Sequence, residues 1–350
     1  MAVSVQGLEQ RFSEKSVVFM RSLLESGLEQ IVRNEAQSTL LPPFNGVYIT
    51  DCTRLVWGKT GVKMGVRWEL QGGQLQAHLS ELTQHDQKTA VVEYPLPAGA
   101  LHLGDLGFFK LQRFQNWNSQ GVYWLTRFKV GTRLHTVSGE ALDLLQLLET
   151  TTQPLVMPVQ VGMKTRFEAY LVAAPTPEAA YVQRQSRLKE QARLDMRPLS
   201  ERKAALARWT IYLTNIPDLT FDQAHILART RWQIELLFKL WKSHALVLVS
   251  RSADPIRQQC EGYAKLLGVL VAHWLLLVSG WQPHTLGLLA ALRLLRPYVP
   301  LLMHAFRHPF LWSLLLDWLQ TDLRLAPPPS KRRKVPLAFQ LWLNFALPIP

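Results

Sequence analysis

The segment from Ala228 to His244 constrains this sequence more than any other. It contains no glycine or proline and is rich in leucine, arginine, lysine and glutamine, so it predicts one continuous helix of more than four turns. At about 100° per residue, Arg231, Glu235 and Lys242 fall within an arc of about 40° and share one face. A second arc collects apolar side chains, which predicts that the helix packs along a sheet. These side chains are Ile234, Leu237, Leu240 and Trp241.

A carboxylate between two cations is a pattern with two interpretations. The acid can ligate a divalent cation while arginine and lysine hold phosphate oxygens. The same spacing describes an ordinary ion pair on a helix face, worth about 0.3 kcal/mol, with Lys242 as one more solvated cation. Spacing alone leaves both interpretations open.

Two strand-like runs lead to further acidic residues. Val47 to Asp51 is β-branched and aromatic, which predicts a buried strand that ends on Asp51 and delivers its carboxylate to the edge of a sheet. From Ala100 the chain repeats this pattern, with an apolar run that leads to Asp105 and then to the phrase Leu-Gly-Phe-Phe. Taken alone, Asp51 is better explained as a turn residue at a strand end.

The rest of the chain mixes strand and helix patterns. A hairpin is predicted where Gly72-Gly73 joins two alternating runs. Ser13 is the expected cap of a helix near the N-terminus, and Asp222 is the expected cap of the helix that leads to Ala228. Arg127 lies in a strand-like run and is equally a contact to a bound anion or a solvated charge.

Between residues 131 and 208 the pattern loosens. It predicts a short helix, two strands and a polar segment of mixed charge, in the order Glu140–Glu149, Pro154–Gly162, Arg166–Ala173 and Gln183–Arg197. The basic residues of the last segment either line a surface that binds a polyanion or form a solvated helix face.

The charge of the chain indicates a class of partner, and its cysteine content indicates a compartment. Lysine and arginine number 39 against 26 acidic residues, a net charge of +13 that attracts polyanions, and nucleic acid is the commonest of these. Ribosomal and membrane-associated proteins share such a balance. Cys52 and Cys260 have no zinc-ligand spacing, which fits a reducing cytoplasm.

No secretory signal pattern opens the sequence, and no segment predicts a membrane span. The apolar run Leu266–Val278 is shorter than the ~20 residues that a bilayer requires, and it contains His273. It predicts the buried part of an apolar helix that extends over Tyr263–Trp281, so no membrane partner is expected.

The residues around Glu235 resemble a known signature. Arg-Trp-Gln-Ile-Glu-Leu-Leu-Phe-Lys, preceded by the Trp209–Pro217 run, is similar to the signature segment of bacterial insertion-sequence transposases of the Tyr-Arg-Glu-Lys group. That family has an RNase H-like core. The resemblance therefore implies an α/β fold with a mixed sheet flanked by helices and a β-rich insertion before the last catalytic helix.

The resemblance also implies roles for particular residues. Asp51, Asp105 and Glu235 match the family's catalytic Asp-Asp-Glu triad, which makes them the expected metal ligands. Arg231 and Lys242 match its DNA-binding cations, and Lys239 and Arg127 are further candidates for DNA contacts. Ala228 stands at the position of the signature tyrosine, which removes one phosphate contact.

The chemistry implied by the resemblance is cut-and-paste transposition. Two Mg²⁺ or Mn²⁺ ions, which prefer oxygen ligands, activate the attacking oxygen and stabilise the leaving one during cleavage at transposon ends and strand transfer into target DNA. The expected partner is double-stranded DNA, the expected assembly a homodimer on that DNA, and the expected location the bacterial cytoplasm, at the nucleoid.

Five segments are expected from the same resemblance. They are a helical N-terminal remnant of a DNA-binding domain (1–40), the first part of the core (41–130), the β-rich insertion (131–208), the second part of the core (209–300) and a helical C-terminal region with a basic tail (301–350). The N-terminal segment is shorter than the family's usual one and the signature tyrosine is missing, so one alternative is an idle DNA-binding relic. A second alternative is a nuclease without strand transfer.

Overall fold

A computed structural model describes residues 5–30, 32, 43–163 and 165–326 of the chain. The chain divides into two compact units. The described part of the first unit comprises residues 5–32 without residue 31, 46–95 and 231–326, and that of the second comprises 43–45 and 96–230 without residue 164.

Nine strands occur within these residues. They are β1 (Val47–Trp57), β2 (Thr60–Glu69), β3 (Leu75–Ser80), β4 (Leu101–Gly104), β5 (Tyr123–Arg127), β6 (Leu134–His135), β7 (Leu155–Val161), β8 (Phe167–Pro175) and β9 (Trp209–Thr214).

The described residues also form twelve α-helices. They are α1 (Val5–Glu9), α2 (Glu14–Glu29), α3 (Leu111–Ser119), α4 (Leu144–Glu149), α5 (Glu178–Leu194), α6 (Glu201–Leu206), α7 (Phe221–Thr230), α8 (Trp232–Ser243), α9 (Pro255–Val278), α10 (Leu288–Leu295), α11 (Val299–Ala305) and α12 (Leu311–Leu325).

The first unit is built on an antiparallel meander of β1, β2 and β3. The predicted hairpin between β2 and β3 is confirmed, and Gly73 supplies the positive φ (+80°) that its turn requires. Helices α8 and α9 pack against β1, and α2 packs against α9 and β3. Ser13 caps α2 as predicted, since its hydroxyl accepts the Ser16 N–H at 3.3 Å.

Strand β1 is longer than the sequence indicated. The prediction that it ends on Asp51 is wrong, because the strand continues to Trp57 and Asp51 lies opposite Val66 in the middle of the β1–β2 ladder. Beyond Asp51 the buried positions are Thr53, Leu55 and Trp57. The pairing with β2 extends the strand, and that partner was not included in the local pattern that predicted its end.

The helix predicted over Ala228–His244 is interrupted. Helix α7 ends at Thr230 and α8 begins at Trp232, with Arg231 between them. The Thr230 hydroxyl donates to the carbonyls of Ile226 and Leu227, and a threonine that bonds back in this way bends helices. The apolar arc of the predicted helix is nevertheless confirmed. Its buried members are Ile234, Leu237, Leu240 and Trp241.

The second unit orders its strands β4-β5-β9-β8-β7-β6. Strands β4 and β5 are parallel, and the remaining neighbours are antiparallel. Helices α3 and α7 pack against β5, and α7 also packs against β8. These mixed strand directions with flanking helices confirm the predicted α/β class.

Asp222 does not cap α7, so that prediction is wrong. Asp222 lies inside the first turn, while Thr220 and Gln223 form a reciprocal pair in the manner of a capping box. The Thr220 hydroxyl accepts the Gln223 N–H at 3.3 Å, and the Gln223 carboxamide accepts the Thr220 N–H at 2.8 Å.

Helix α9 contains the apolar run Leu266–Val278, as predicted. It is long and apolar enough to cross a membrane by length and composition, a test that buried helices of soluble proteins also pass. Its buried residues include Leu266, Leu270 and His273. The basic tail predicted beyond Pro327 lies outside the described residues, and the division into five segments stays a prediction.

Candidate active site

Arg231 bridges two of the predicted catalytic acids in the first unit. One guanidinium nitrogen lies 3.4 Å from Oδ2 of Asp51, and the other lies 2.5 Å from Oε1 of Glu235. Arg231 and Glu235 are four residues apart around the start of α8, whereas Asp51 comes from the middle of β1. The packing of α8 on β1 therefore brings together residues that are separated by about half of the sequence.

The three side chains of this carboxylate–arginine cluster are partly accessible. Their exposed fractions are 18% for Asp51, 22% for Arg231 and 32% for Glu235. The Cys52 N–H donates to Oδ1 of Asp51 at 2.7 Å, which orients that carboxylate within the strand. Such a site is open to a phosphate or a cation, yet it is shielded enough that its charges interact more strongly than in bulk water.

Arg231 offsets the negative charge of both carboxylates. The guanidinium supplies positive charge to both acids through hydrogen bonds, which are stronger than those between neutral groups. A divalent cation bound by Asp51 and Glu235 would supply the same charge, and Arg231 would then be available to a phosphate oxygen.

Two lysines follow on α8. Lys242 is half-buried, and this burial lowers the pKa of its ammonium group. Lys239 is exposed. Both are cations on the helix that carries Glu235, which is compatible with the predicted role in binding DNA.

Asp105 belongs to the second unit, where it directly follows β4 as the sequence predicted. Its Oδ1 accepts the Gly107 N–H at 2.6 Å and thereby caps the short turn at residues 106–108. The side chain is partly exposed. Arg127 is also in the second unit, at the end of β5, with an exposed side chain.

The described residues contain no group of three or more His, Cys, Asp or Glu side chains arranged to hold a metal ion. The donors that do come together, Asp51 and Glu235, are carboxylates, and oxygen ligands of this kind suit Mg²⁺ and Mn²⁺. The chemistry of the donor pair therefore fits the implied metal. The assignment of Asp105 to the same site rests on the family resemblance.

Trp232 is a candidate for contact with a nucleic-acid base, and the sequence analysis did not predict it. Its side chain is 56% exposed at the start of α8, next to Arg231. A tryptophan exposed beside cations is suited to stack on a nucleic-acid base. The helix wheel could have predicted its exposure, because Trp232 lies on the side of the helix opposite the apolar arc near Trp241.

The fold and the cluster together define a class of protein. It is an α/β protein in which two carboxylates lie beside an arginine and further cations, an arrangement suited to binding a divalent cation or a phosphate group. A comparison with protein families then identifies the group, because the model of the transposase DDE domain matches residues 46–271, well over half of the chain. The chain belongs to this family.

The chain is also similar to transposases of bacterial insertion sequences. The chain is 25% identical over 309 residues to the transposase of insertion sequence IS231F from Bacillus thuringiensis subsp. israelensis. It is 24% identical over 312 residues to that of IS231B from Bacillus thuringiensis subsp. berliner, and 21% identical over 314 residues to that of IS1151 from Clostridium perfringens.

These alignments cover 77–78% of the chain and 65–66% of each relative. The chain thus matches slightly less than two thirds of the length of these relatives. The family assignment agrees with the resemblance seen in the signature segment. The Tyr-Arg-Glu-Lys subgroup and the shortened N-terminal segment stay predictions.

Proposed function

We propose that the chain acts as a DNA transposase that cleaves DNA at the ends of an insertion sequence and joins those ends to target DNA. The observation that carries this proposal is the carboxylate–arginine cluster, in which Asp51 and Glu235 converge on Arg231 within the transposase DDE domain. The names of the relatives favour this function over an idle DNA-binding relic.

In this mechanism Asp51, Glu235 and, from the family resemblance, Asp105 would hold two Mg²⁺ or Mn²⁺ ions. When bound, the ions activate a water or 3′-hydroxyl and stabilise the leaving oxygen of an in-line displacement at phosphorus. Glu235, which is paired with Arg231 in this structure, would be one of the residues that hold the metal. Arg231 and Lys242 then neutralise and orient phosphate oxygens, and the exposed Lys239 and Arg127 contact the DNA backbone.

A plasmid that carries the element with its flanking DNA tests the proposal. We expect Glu235→Gln and Asp51→Asn each to lower Mg²⁺-dependent strand cleavage at the element's ends by about 10³-fold or more, since a metal ligand is lost. DNA binding should survive in both variants.

The matched control is Glu25→Gln. Glu25 forms an ion pair with Arg21 at the same i,i+4 spacing, on helix α2, and its loss should leave cleavage unchanged. Cleavage retained by Glu235→Gln would reject the assignment. Excision without joining of pre-cleaved ends to target DNA would favour the simple nuclease instead.

We also propose that the chain works as a homodimer on DNA, in the bacterial cytoplasm at the nucleoid. Exposed apolar side chains around α11 and α12 support a protein partner, because a surface of this kind favours association. They include Phe306, Phe310 and Trp318, with exposed fractions of 73%, 75% and 50%.

Sedimentation of the protein with a duplex DNA end checks the dimer. We expect two chains per complex, and Trp318→Asp should reduce this to one. The exposed Arg324, also on α12, offers the control substitution Arg324→Asp, which adds a carboxylate without removing apolar surface. One chain per complex in the wild type would contradict the proposal.

A further inference from the structure

A second cluster of polar and cationic side chains lies in the second unit, away from the residues assigned above except for Arg127. Arg127 and Tyr212 are direct cross-strand partners in the antiparallel β5–β9 pair, so their side chains lie on the same face of the sheet. The Tyr212 hydroxyl hydrogen-bonds to Nδ1 of His225 on α7 at 2.9 Å. The Phe221 ring stacks on the imidazole, with ring centroids 5.7 Å apart.

Two further arginines adjoin this arrangement. Arg229 lies one turn after His225 on α7 and is exposed. Arg184, on α5, is half-buried, and its guanidinium donates to four neutral oxygens. These are the hydroxyls of Thr176 and Thr210 and the carbonyls of Ala207 and Trp209.

The positive charge of this cluster is poorly balanced. Within the part of the chain that the structure describes, no carboxylate forms an ion pair with Arg127, Arg184 or Arg229. Burial together with Arg127 lowers the pKa of Arg184. A half-buried cation usually has an acidic partner, so a site that holds several cations with neutral acceptors attracts an anion from solution.

His225 is the titratable member of the cluster. Burial lowers its pKa, and the positive charges of Arg229, Arg127 and Arg184 lower it further, while Asp222 on the same helix raises it. The imidazole therefore favours the neutral form until an anion arrives. A bound phosphate would reverse this preference, because a nearby negative charge stabilises the imidazolium.

We propose that Arg127, His225 and Arg229 bind one phosphodiester group of the DNA backbone, with Tyr212 orienting the imidazole. Arg184 adds attraction without direct contact, since its guanidinium is held by neutral oxygens of its own unit. This inference rests on the proposed function only in taking DNA as the polyanion. It adds Arg229 and His225 to the DNA-contacting residues and makes part of the affinity dependent on pH.

The test is the binding of a duplex oligonucleotide, measured by fluorescence anisotropy as a function of salt. Loss of one phosphate contact in Arg229→Gln should reduce the slope of log K against log salt by about 0.9 and weaken binding several-fold. Arg21→Gln is the matched control, because it removes one arginine that already has an acidic partner, Glu25. It should leave the slope within error of the wild type.

The pH profile supplies an independent readout. Since phosphate binding takes up a proton at His225, the wild type should bind DNA several-fold more tightly at pH 6 than at pH 8. His225→Gln should lose most of this difference. Tyr212→Phe, which removes only a hydroxyl group, should reduce it and keeps the inference testable if His225→Gln fails to fold.

The remaining outcomes are decisive as well. An unchanged salt slope in Arg229→Gln together with an unchanged pH profile in His225→Gln would overturn the inference. So would displacement of DNA by inorganic phosphate at constant ionic strength, which would indicate a site for the free anion. Failure of the proposed function would be seen differently, as absent cleavage by a wild type that still binds DNA with the full slope. A wild type that binds no DNA would contradict both.

Discussion

At the scale of single residues, Arg231 is the side chain on which the site depends. It holds Asp51 and Glu235 within reach of one guanidinium group. The ion pair of Arg231 with Glu235 is the contact that a helix wheel predicted, since it joins residues four positions apart. The contact with Asp51 joins residues 180 positions apart, and no periodicity contains that information. The sequence connected these residues only through the resemblance to a family.

His273 has a pH dependence that can be predicted. It is buried in α9, and its Nε2 lies 2.7 Å from the Gly73 carbonyl, which accepts the hydrogen bond. Burial lowers the pKa of His273 from 6.5 to about 4. Between these pH values the unfolded chain binds a proton that the folded chain does not, so stability falls as pH falls. The loss amounts to about 3 kcal/mol in total.

Urea unfolding of the wild type and of His273→Gln between pH 7 and pH 4 checks this expectation. The difference between their free energies of unfolding should shrink as pH falls. Only the wild type has an imidazole that burial keeps neutral and that takes up a proton when the chain unfolds. A difference that stays constant over this range would contradict it.

At the scale of elements, α9 packs against β1, the strand that carries Asp51. Gly262 on α9 lies against the Trp57 ring, and a Cβ at position 262 would come within 2.2 Å of that ring. Trp57 is only 2% exposed, and its indole donates to the Val247 carbonyl at 2.9 Å. Burial and this hydrogen bond therefore hold the ring in place. The glycine is therefore required by packing, although it weakens the helix.

A pair of alanine substitutions separates packing from helix propensity. Gly262→Ala should destabilise the protein by about 2 kcal/mol, because overpacking exceeds the gain in propensity. Gly268, also on α9, has open space around its Cβ position. Its replacement by alanine should stabilise the protein by up to about 1 kcal/mol. The free energy of unfolding in urea measures both, and equal effects would contradict the assigned contact.

Local sequence patterns predicted some features of these elements and not others. The hairpin at Gly73 and the buried arc of α8 were predicted because each depends on neighbours within a few residues. The true end of β1 and the break at Arg231 were not. The first depends on pairing with β2 along its whole length, and the second on the Thr230 hydroxyl competing for backbone carbonyls. Such competition is decided by three-dimensional surroundings.

At the scale of the whole molecule, the mixed sheet, the basic charge and the family assignment all support the proposed function. A net charge of +13 favours association with DNA. The fold class was implied by the resemblance to the family, whereas local patterns predicted individual strands and helices. Neither predicted the His225–Tyr212 pair, because helix α7 and strand β9 place their polar residues together through packing that the patterns do not specify.

The proposed function requires Asp51 and Glu235 to share a metal ion in place of their contacts with Arg231. The most direct measurement is calorimetric titration of Mn²⁺ into the protein bound to duplex DNA. Asp51→Asn and Glu235→Gln should each weaken Mn²⁺ binding at least tenfold, about 1.4 kcal/mol or more, while Glu25→Gln binds it as the wild type does. Equal affinity in all four proteins would contradict the proposal.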